Sequence, residues 1–324
     1  MKIANKTALK LYECMLRIRH TEETIAERYS EWKMRCPTHL STGQEAIAAG
    51  VCSALRIDDF VLSTHRCHAH YLAKGGDLNK MIAEIYGKAT GCTSGKGGSM
   101  HLIDKSVGFE GSTSIVGNSI PVAVGLGLSI KLQKTDQVSC VFFGDATAEE
   151  GVFFESINFA VLKELPVLFI CENNFYSVYS PLSVRQPEGR NIFEMVRGLG
   201  IASEHASGND CLEVYTKTNA AIENIRKGKG PYFIEFDTYR WREHCGAFFD
   251  NDLGYRTEKE FLLWKKKDPI VLIETYLLND SIITEKQLQK MKESAQSEVD
   301  KAFDFAEESP FPDSKEALAN LYDE

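Results

Sequence analysis

Two apolar runs, VSCVFFG at 138–144 and PVLFIC at 166–171, stand a helix-length apart. Past the end of each comes a residue with a side-chain oxygen ligand, Asp145 after the first and Asn174 after the second. The runs read as strands at 138–143 and 167–171, with a helix at 149–163 between them. In such a unit the crossover is right-handed and both strands point the same way. Their carboxyl ends then share one sheet edge, where Asp145 and Asn174 are expected to converge.

The rest of the chain repeats this alternation. DDFVLSTHR (58–66) holds a short apolar run that ends in polar, reactive side chains, and PYFIEFDTYRW (231–241) reads as another strand. Leu9, Tyr12, Leu16, Arg19 and Ile25 mark an opening amphipathic helix. An Ala-rich helix follows Ser41-x-x-Gln44, which fits a capping box. The segment 114–132 is rich in small residues and reads as a helix that packs closely against a neighbour. After about Thr257 the chain turns helical and polar, with Leu288, Met291, Ala295, Val299 and Ala302 spaced by three or four and a capping box at Thr284 and Gln287. Together these predict an α/β fold, a parallel sheet with helices on both faces and a helical C-terminal part. No internal repeat breaks the chain. It is expected to form one domain over 1–324, with a helical N-terminal arm at about 1–35 and a helical extension at about 257–324.

An Asp carboxylate and an Asn amide carbonyl are hard oxygen ligands. Mg²⁺ prefers such ligands and commonly takes only one or two carboxylates, leaving positions for phosphate and water. The pair therefore suggests a Mg²⁺–diphosphate site. The N-terminus of the helix after Asp145 would favour the same anion. Thr147-x-x-Glu150 reads as that helix's capping box, which leaves Asp145 free. Two rival phosphate motifs fail. Gly95-Lys96 resembles a Walker loop, but Thr90 replaces its first Gly and Gly97 its Ser or Thr. Gly125-Leu-Gly127 lies inside a helix pattern and lacks the third Gly of a dinucleotide fingerprint.

Composition narrows the function. A formal net charge of −9 argues against nucleic acid as a partner. No apolar run approaches the ~20 residues of a membrane span, and the N-terminus lacks the apolar core of a signal peptide. Nine Cys occur singly with no C-x-x-C, as expected of reduced, mostly buried thiols in the cytoplasm.

Gly144-Asp145-Ala146 followed by Asn173-Asn174 resembles the thiamine-diphosphate signature. With HLSTGQEA (39–46), STHRCHAHYLAKG (63–75), SGKGGSMH (94–101), ICENNFY and DPI (268–270), the chain from about 9 to 280 resembles the alpha subunits of thiamine-diphosphate-dependent 2-oxo acid dehydrogenases of the pyruvate and acetoin type. The resemblance implies Mg²⁺ ligands at the side chains of Asp145 and Asn174 and the carbonyl of Tyr176. It places His65 and Arg66 on the cofactor diphosphate, with backbone contacts from Ala146 and Thr147. Ser114 and Val116 would line the aminopyrimidine, His39 would face substrate, and His244 would reach the cofactor from a C-terminal loop. Glu45 is expected to be a helix residue and not the cofactor-activating Glu. The family takes that Glu from a separate beta subunit, so the resemblance implies a heterotetramer of two alpha and two beta chains, and an alpha chain inactive alone.

The small-molecule substrate would be pyruvate, another small 2-oxo acid or acetoin, with the acyl unit passing to a lipoyl group on an acyltransferase partner. A decarboxylase or carboligase of a specialised pathway is the alternative. Ala146 stands where the family commonly has Gly, which the turn tolerates if φ stays negative. Arg242-Glu243-His244-Cys245 replaces a loop that commonly carries a phosphorylatable Ser. The added Glu243 beside His244 bears on substrate identity. The loop after Trp241, with Gly246 and Gly254 as hinges, carries charges unsuited to burial and is expected to order around the cofactor.

Overall fold

The computed structural model describes residues 3–319. Six parallel strands form its sheet: β1 (Phe60–Ser63), β2 (Phe109–Ser112), β3 (Ser139–Gly144), β4 (Val167–Asn173), β7 (Ala202–Ser207) and β8 (Tyr232–Asp237), in the order β2-β1-β3-β4-β8-β7. A small antiparallel hairpin, β5 (Tyr176–Ser177) with β6 (Ser180–Pro181), follows β4. The predicted parallel α/β architecture is therefore present. The outer residues of the 1–324 span, Met1, Lys2 and 320–324, lie outside the described residues.

The apolar runs lack alternation because both sheet faces are covered. Cys140, Phe142, Leu168, Ile170, Ile234 and Phe236 pack into one core with the helix Glu45–Ala54 and with the C-terminal Val299, Ala302 and Phe303. Val141, Phe143, Val167, Phe169, Cys171 and Phe233 pack into the other, against Phe153, Ile157 and Ala160 of the helix Gly151–Leu162. The N-terminal helix Asn5–Arg28 is docked on the helices Glu45–Ala54, Pro269–Asn279 and Glu285–Glu308, through residues such as Leu11, Met15 and Ile18. No helix among the described residues is long and apolar enough to cross a membrane.

Three local expectations are corrected. The Ser41–Gln44 capping box does not form. Gln44 itself is the N-cap of Glu45–Ala54 and makes no side-chain cap bond, while the Ser41 N–H donates to the buried Glu22 carboxylate at 3.0 Å. The Thr147–Glu150 box is also absent: residues 145–149 form a 3₁₀ turn, and the α-helix begins only at Gly151. The small-residue segment is a loop to Asn118 and a helix only over Ser119–Gln133. A Cβ on Gly127 would stand 2.5 Å from Val167, so close approach to the chain's own β4 accounts for that glycine. The Thr284–Gln287 capping box is present as predicted.

The Gly-rich loop after Cys92 is organised by one carboxylate. Glu84, fully buried at the end of the helix Leu78–Ile85, accepts N–H bonds from Thr93, Gly95, Gly97 and Gly98 at 2.7–3.1 Å. This loop resembles a phosphate cradle in sequence, but its inward N–H groups are spent on Glu84. Glu84→Ala orphans those donors and is expected to cost about 3–5 kcal/mol of stability. Denaturant unfolding checks this against Glu293→Ala on an exposed helix face, where the change should stay within about 0.5 kcal/mol.

Candidate active site

Strand order reverses between β1 and β3: the chain passes from β1 outward to β2 on one side and from β3 outward to β4 on the other. A cavity of about 210 Å³ opens at the carboxyl ends of these strands, the place where open α/β sheets bind ligands. All eleven residues singled out from sequence line it: His39; His65 and Arg66 after β1; Ser114 and Val116 after β2; Asp145, Ala146 and Thr147 after β3; Asn174 and Tyr176 after β4; and His244 after β8.

Three imidazoles crowd one wall. The ring of His39 lies 4.5 Å from that of His65 and 5.0 Å from that of His244, and His65 and His244 are 5.3 Å apart. Burial and the adjacent Arg66 cation push all three below the usual imidazole range, His39 to about 2 and His65 and His244 to about 3. They are neutral at working pH, and each can present one donor and one acceptor nitrogen. The Nδ1 of His39 is buried and bonded to no protein group. Burial also lowers Arg66, to about 10, which leaves it a cation. Its two terminal nitrogens donate to the carbonyls of Leu40 at 2.6 Å and His244 at 3.1 Å.

Arg66 thus ties the His244 loop to the His39 segment. Further bonds run from Gly246 N to Thr38 O (2.8 Å) and from Trp241 N to Thr42 O (3.0 Å). Gly43, at φ +93°, lets the two segments touch: a Cβ there would lie 2.5 Å from the Trp241 ring. These bonds tie the loop to the 38–43 segment, and the expectation that its charges are unsuited to burial fails at Asp250 and Arg256. Its charges are buried because they pair with one another. Asp250 accepts from Arg240 at 3.3 Å and also from Arg256 and Tyr255, and all three charged residues are nearly inaccessible. Glu243 does not line the cavity; it accepts the Phe248 N–H at 3.0 Å.

On the opposite wall Asp145 is buried, and burial raises its pKa against the lowering effect of Arg185. Arg185 pairs with Asp145 and with Glu149. Ala146 keeps a negative φ, so the missing Gly is tolerated. Asn174 Oδ1 accepts the Tyr176 N–H at 3.1 Å. Its neighbour Asn173 points the other way, donating to Glu235 at 2.7 Å.

The remaining histidines do not line the cavity and have partners of their own. His68 bridges Glu22 and Ser99, and His70 lies between Ser63 and Glu172 and stacks on Phe142. His101 contacts Gly97 O, His20 contacts Gln296, and His205 contacts Asp237. Glu45 is the first residue of its helix and is paired with Arg19. All nine cysteines are free; Cys245 is exposed. Sequence reasoning missed Gln44, Met100, Ile115, Glu172 and Val178, which also line the cavity. Gln44 and Glu172 sit inside recognised motifs and were within reach. Met100 also falls inside a recognised motif and Ile115 between two predicted residues; Val178 carries no local signal.

The family model described as "Dehydrogenase E1 component" matches residues 13–315. The chain is 36% identical to the alpha subunit of acetoin:2,6-dichlorophenolindophenol oxidoreductase of Bacillus subtilis, over 99% of this chain and 95% of that one. It is 34% identical to a chloroplastic pyruvate dehydrogenase E1 component subunit alpha-3 of Arabidopsis thaliana (99% and 75% covered) and 33% identical to the pyruvate dehydrogenase E1 component subunit alpha of Rickettsia felis (97% and 95%).

The histidine cluster makes stability depend on pH. The folded pKa values lie below the ordinary ~6.5, so the unfolded chain binds more protons between about pH 3 and pH 6.5. Stability should fall on acidification through that window. Urea midpoints at pH 7.5 and pH 5.0 should differ more in the wild type than in a His39→Gln, His65→Gln double variant. Arg66→Gln should raise the three imidazoles without restoring their ordinary values, as read by NMR titration.

Proposed function

We propose, from the premise that this chain belongs to the dehydrogenase E1 component family, that the cavity described above holds thiamine diphosphate with Mg²⁺. The chain is the alpha subunit of a thiamine-diphosphate-dependent oxidoreductase acting on a 2-oxo acid or acetoin. The observation that carries the site assignment is that residues from five separate strand ends, chosen from sequence, line one cavity at the switch point.

The residues fit the group. His39 Nδ1 and Gln44 Oε1 are buried in the cavity wall without protein partners, which invites a polar ligand. A carboxylate, an amide oxygen and a backbone carbonyl, from Asp145, Asn174 and Tyr176, are the donor set that suits Mg²⁺. When bound, thiamine diphosphate supplies a carbon nucleophile and an electron sink. Arg66, His65 and the backbone at Ala146 and Thr147 hold its diphosphate; the planar Arg fork matches phosphate oxygens. Ser114 and Val116 flank its aminopyrimidine. His39 faces substrate and His244 reaches the cofactor; both are neutral, and each offers one donor and one acceptor ring nitrogen.

An alpha subunit works with a beta subunit, and we assign the assembly as two of each. The exposed Ile115 and Val116, which line the cavity, supply apolar surface for that partner. Where the acyl unit leaves on a lipoyl group, an acyltransferase completes the set; dependence of turnover on lipoamide separates this from carboligation. Nine free thiols suit a reducing compartment such as the cytoplasm.

The chain alone should not turn over pyruvate or acetoin, and adding the beta partner should restore activity. Asp145→Ala should abolish the thermal stabilisation given by thiamine diphosphate and Mg²⁺; unchanged stabilisation overturns the metal assignment. With the partner present, His244→Ala should lower turnover about 10²-fold or more, the scale of lost acid–base assistance, with little change in folding.

A further inference from the structure

Five of the eight histidines each contact a polar partner in the protein. His39, His65 and His244 differ. Among the described residues, no hydrogen bond reaches a ring nitrogen of any of the three. One ligand nitrogen from each ring lies within 4.8 Å of the other two. His39 is 7% exposed, and its Nδ1 is an orphan in the cavity wall. The rings come from three distant segments, and backbone bonds hold those segments together. Gly246 N donates to Thr38 O at 2.8 Å, and Arg66 grips the carbonyls of Leu40 and His244.

From this geometry we infer that the three imidazoles form a site for one divalent cation of the Zn²⁺ class, separate from the Mg²⁺ position and filled only while the cofactor is absent. The last clause rests on the cofactor reading above; the site itself does not. Imidazole nitrogens suit Zn²⁺, Cu²⁺ and Ni²⁺, whereas the oxygens of Asp145, Asn174 and Tyr176 suit Mg²⁺. Three protein ligands facing an open cavity match an accessible zinc centre, in which water takes the fourth position. At Zn–N distances of about 2.0–2.1 Å the nitrogens stand roughly 3.4 Å apart, so the rings must turn inward. His65 and His244 are only half-buried, and no ring bond has to break for that turn. Arg66 opposes a dication. Glu172, buried and lining the same cavity, offsets part of its charge. The diphosphate of the cofactor would answer Arg66 more fully, and its own attraction for a dication is met by Mg²⁺ at the oxygen ligands. On the reading above it also takes His65 and His244, which leaves the Zn²⁺-class ion one ligand of three. The two therefore exclude each other, and cofactor loading becomes sensitive to zinc.

The test titrates the full chain, free of cofactor, with Co²⁺ as a visible stand-in for Zn²⁺. One equivalent should bind with the intense visible absorption of a tetrahedral centre and without thiolate charge transfer. His39→Gln and His65→Gln should each weaken binding by more than about 10²-fold, beyond the roughly 10–100-fold cost of losing an outer partner of a metal ligand. Cys245→Ser, next to His244, should bind like wild type. X-ray absorption of the Zn²⁺-loaded wild type should show imidazole and no sulfur ligands, a measurement that does not depend on any variant folding. With the beta partner present, thiamine diphosphate and excess Mg²⁺ should bleach the Co²⁺ absorption. No binding, sulfur ligation, or binding unchanged in the histidine variants overturns the site. Co²⁺ that stays on the imidazoles while thiamine diphosphate binds overturns the exclusion. If the assembled pair binds no thiamine diphosphate, the cofactor reading fails and the exclusion with it, while the Co²⁺ and X-ray results decide the imidazole site by themselves.

Discussion

The site depends on the parallel pairing of β3 with β4. Ser139 pairs with Val167 and Gly144 with Glu172, in unbroken register. Both strands are buried on both faces, and a one-residue slip would exchange every side chain between the two cores. Phe142 and Ile170 belong to one core, Phe143 and Phe169 to the other. That two-sided packing locks the register, and the register brings the residues after both strands, Asp145 and Asn174, to one cavity at the sheet edge.

Electrostatics divides the cavity in two. One wall carries three neutral imidazoles around a buried guanidinium, and the other a buried carboxylate. The imidazoles are neutral first because they are buried and then because Arg66 is a cation beside them. Two anionic oxygens near Arg66 would relieve what the histidines cannot. The imidazole wall is itself held together by Arg66, which grips the carbonyls of Leu40 and His244 from two distant segments.

Much of this was legible in sequence because motifs in parallel α/β sheets sit where strands end. A polar residue after an apolar run is a residue at the ligand edge. The errors have local causes. Capping boxes at Ser41 and Thr147 matched a pattern, but tertiary partners and a 3₁₀ turn took the groups involved. The charges of the loop after Trp241 pointed to solvent, but Asp250 and Arg256 are buried as a pair, with Arg240 also on Asp250 and both guanidiniums donating to backbone carbonyls. Arg185 was invisible, since its contact with Asp145 needs the β5–β6 hairpin to turn the chain back.

Sequence by itself determined the fold class, the strand ends that line the cavity and the family, because periodicity and short motifs are properties of neighbouring residues. Only the tertiary structure decided which histidines line the cavity and which charges are paired. His65 and His68 lie three residues apart; one lines the cavity with Arg66 and the other is consumed by Glu22 and Ser99. The difference lies in partners that come from distant segments, and burial among those partners sets each group's protonation and reach.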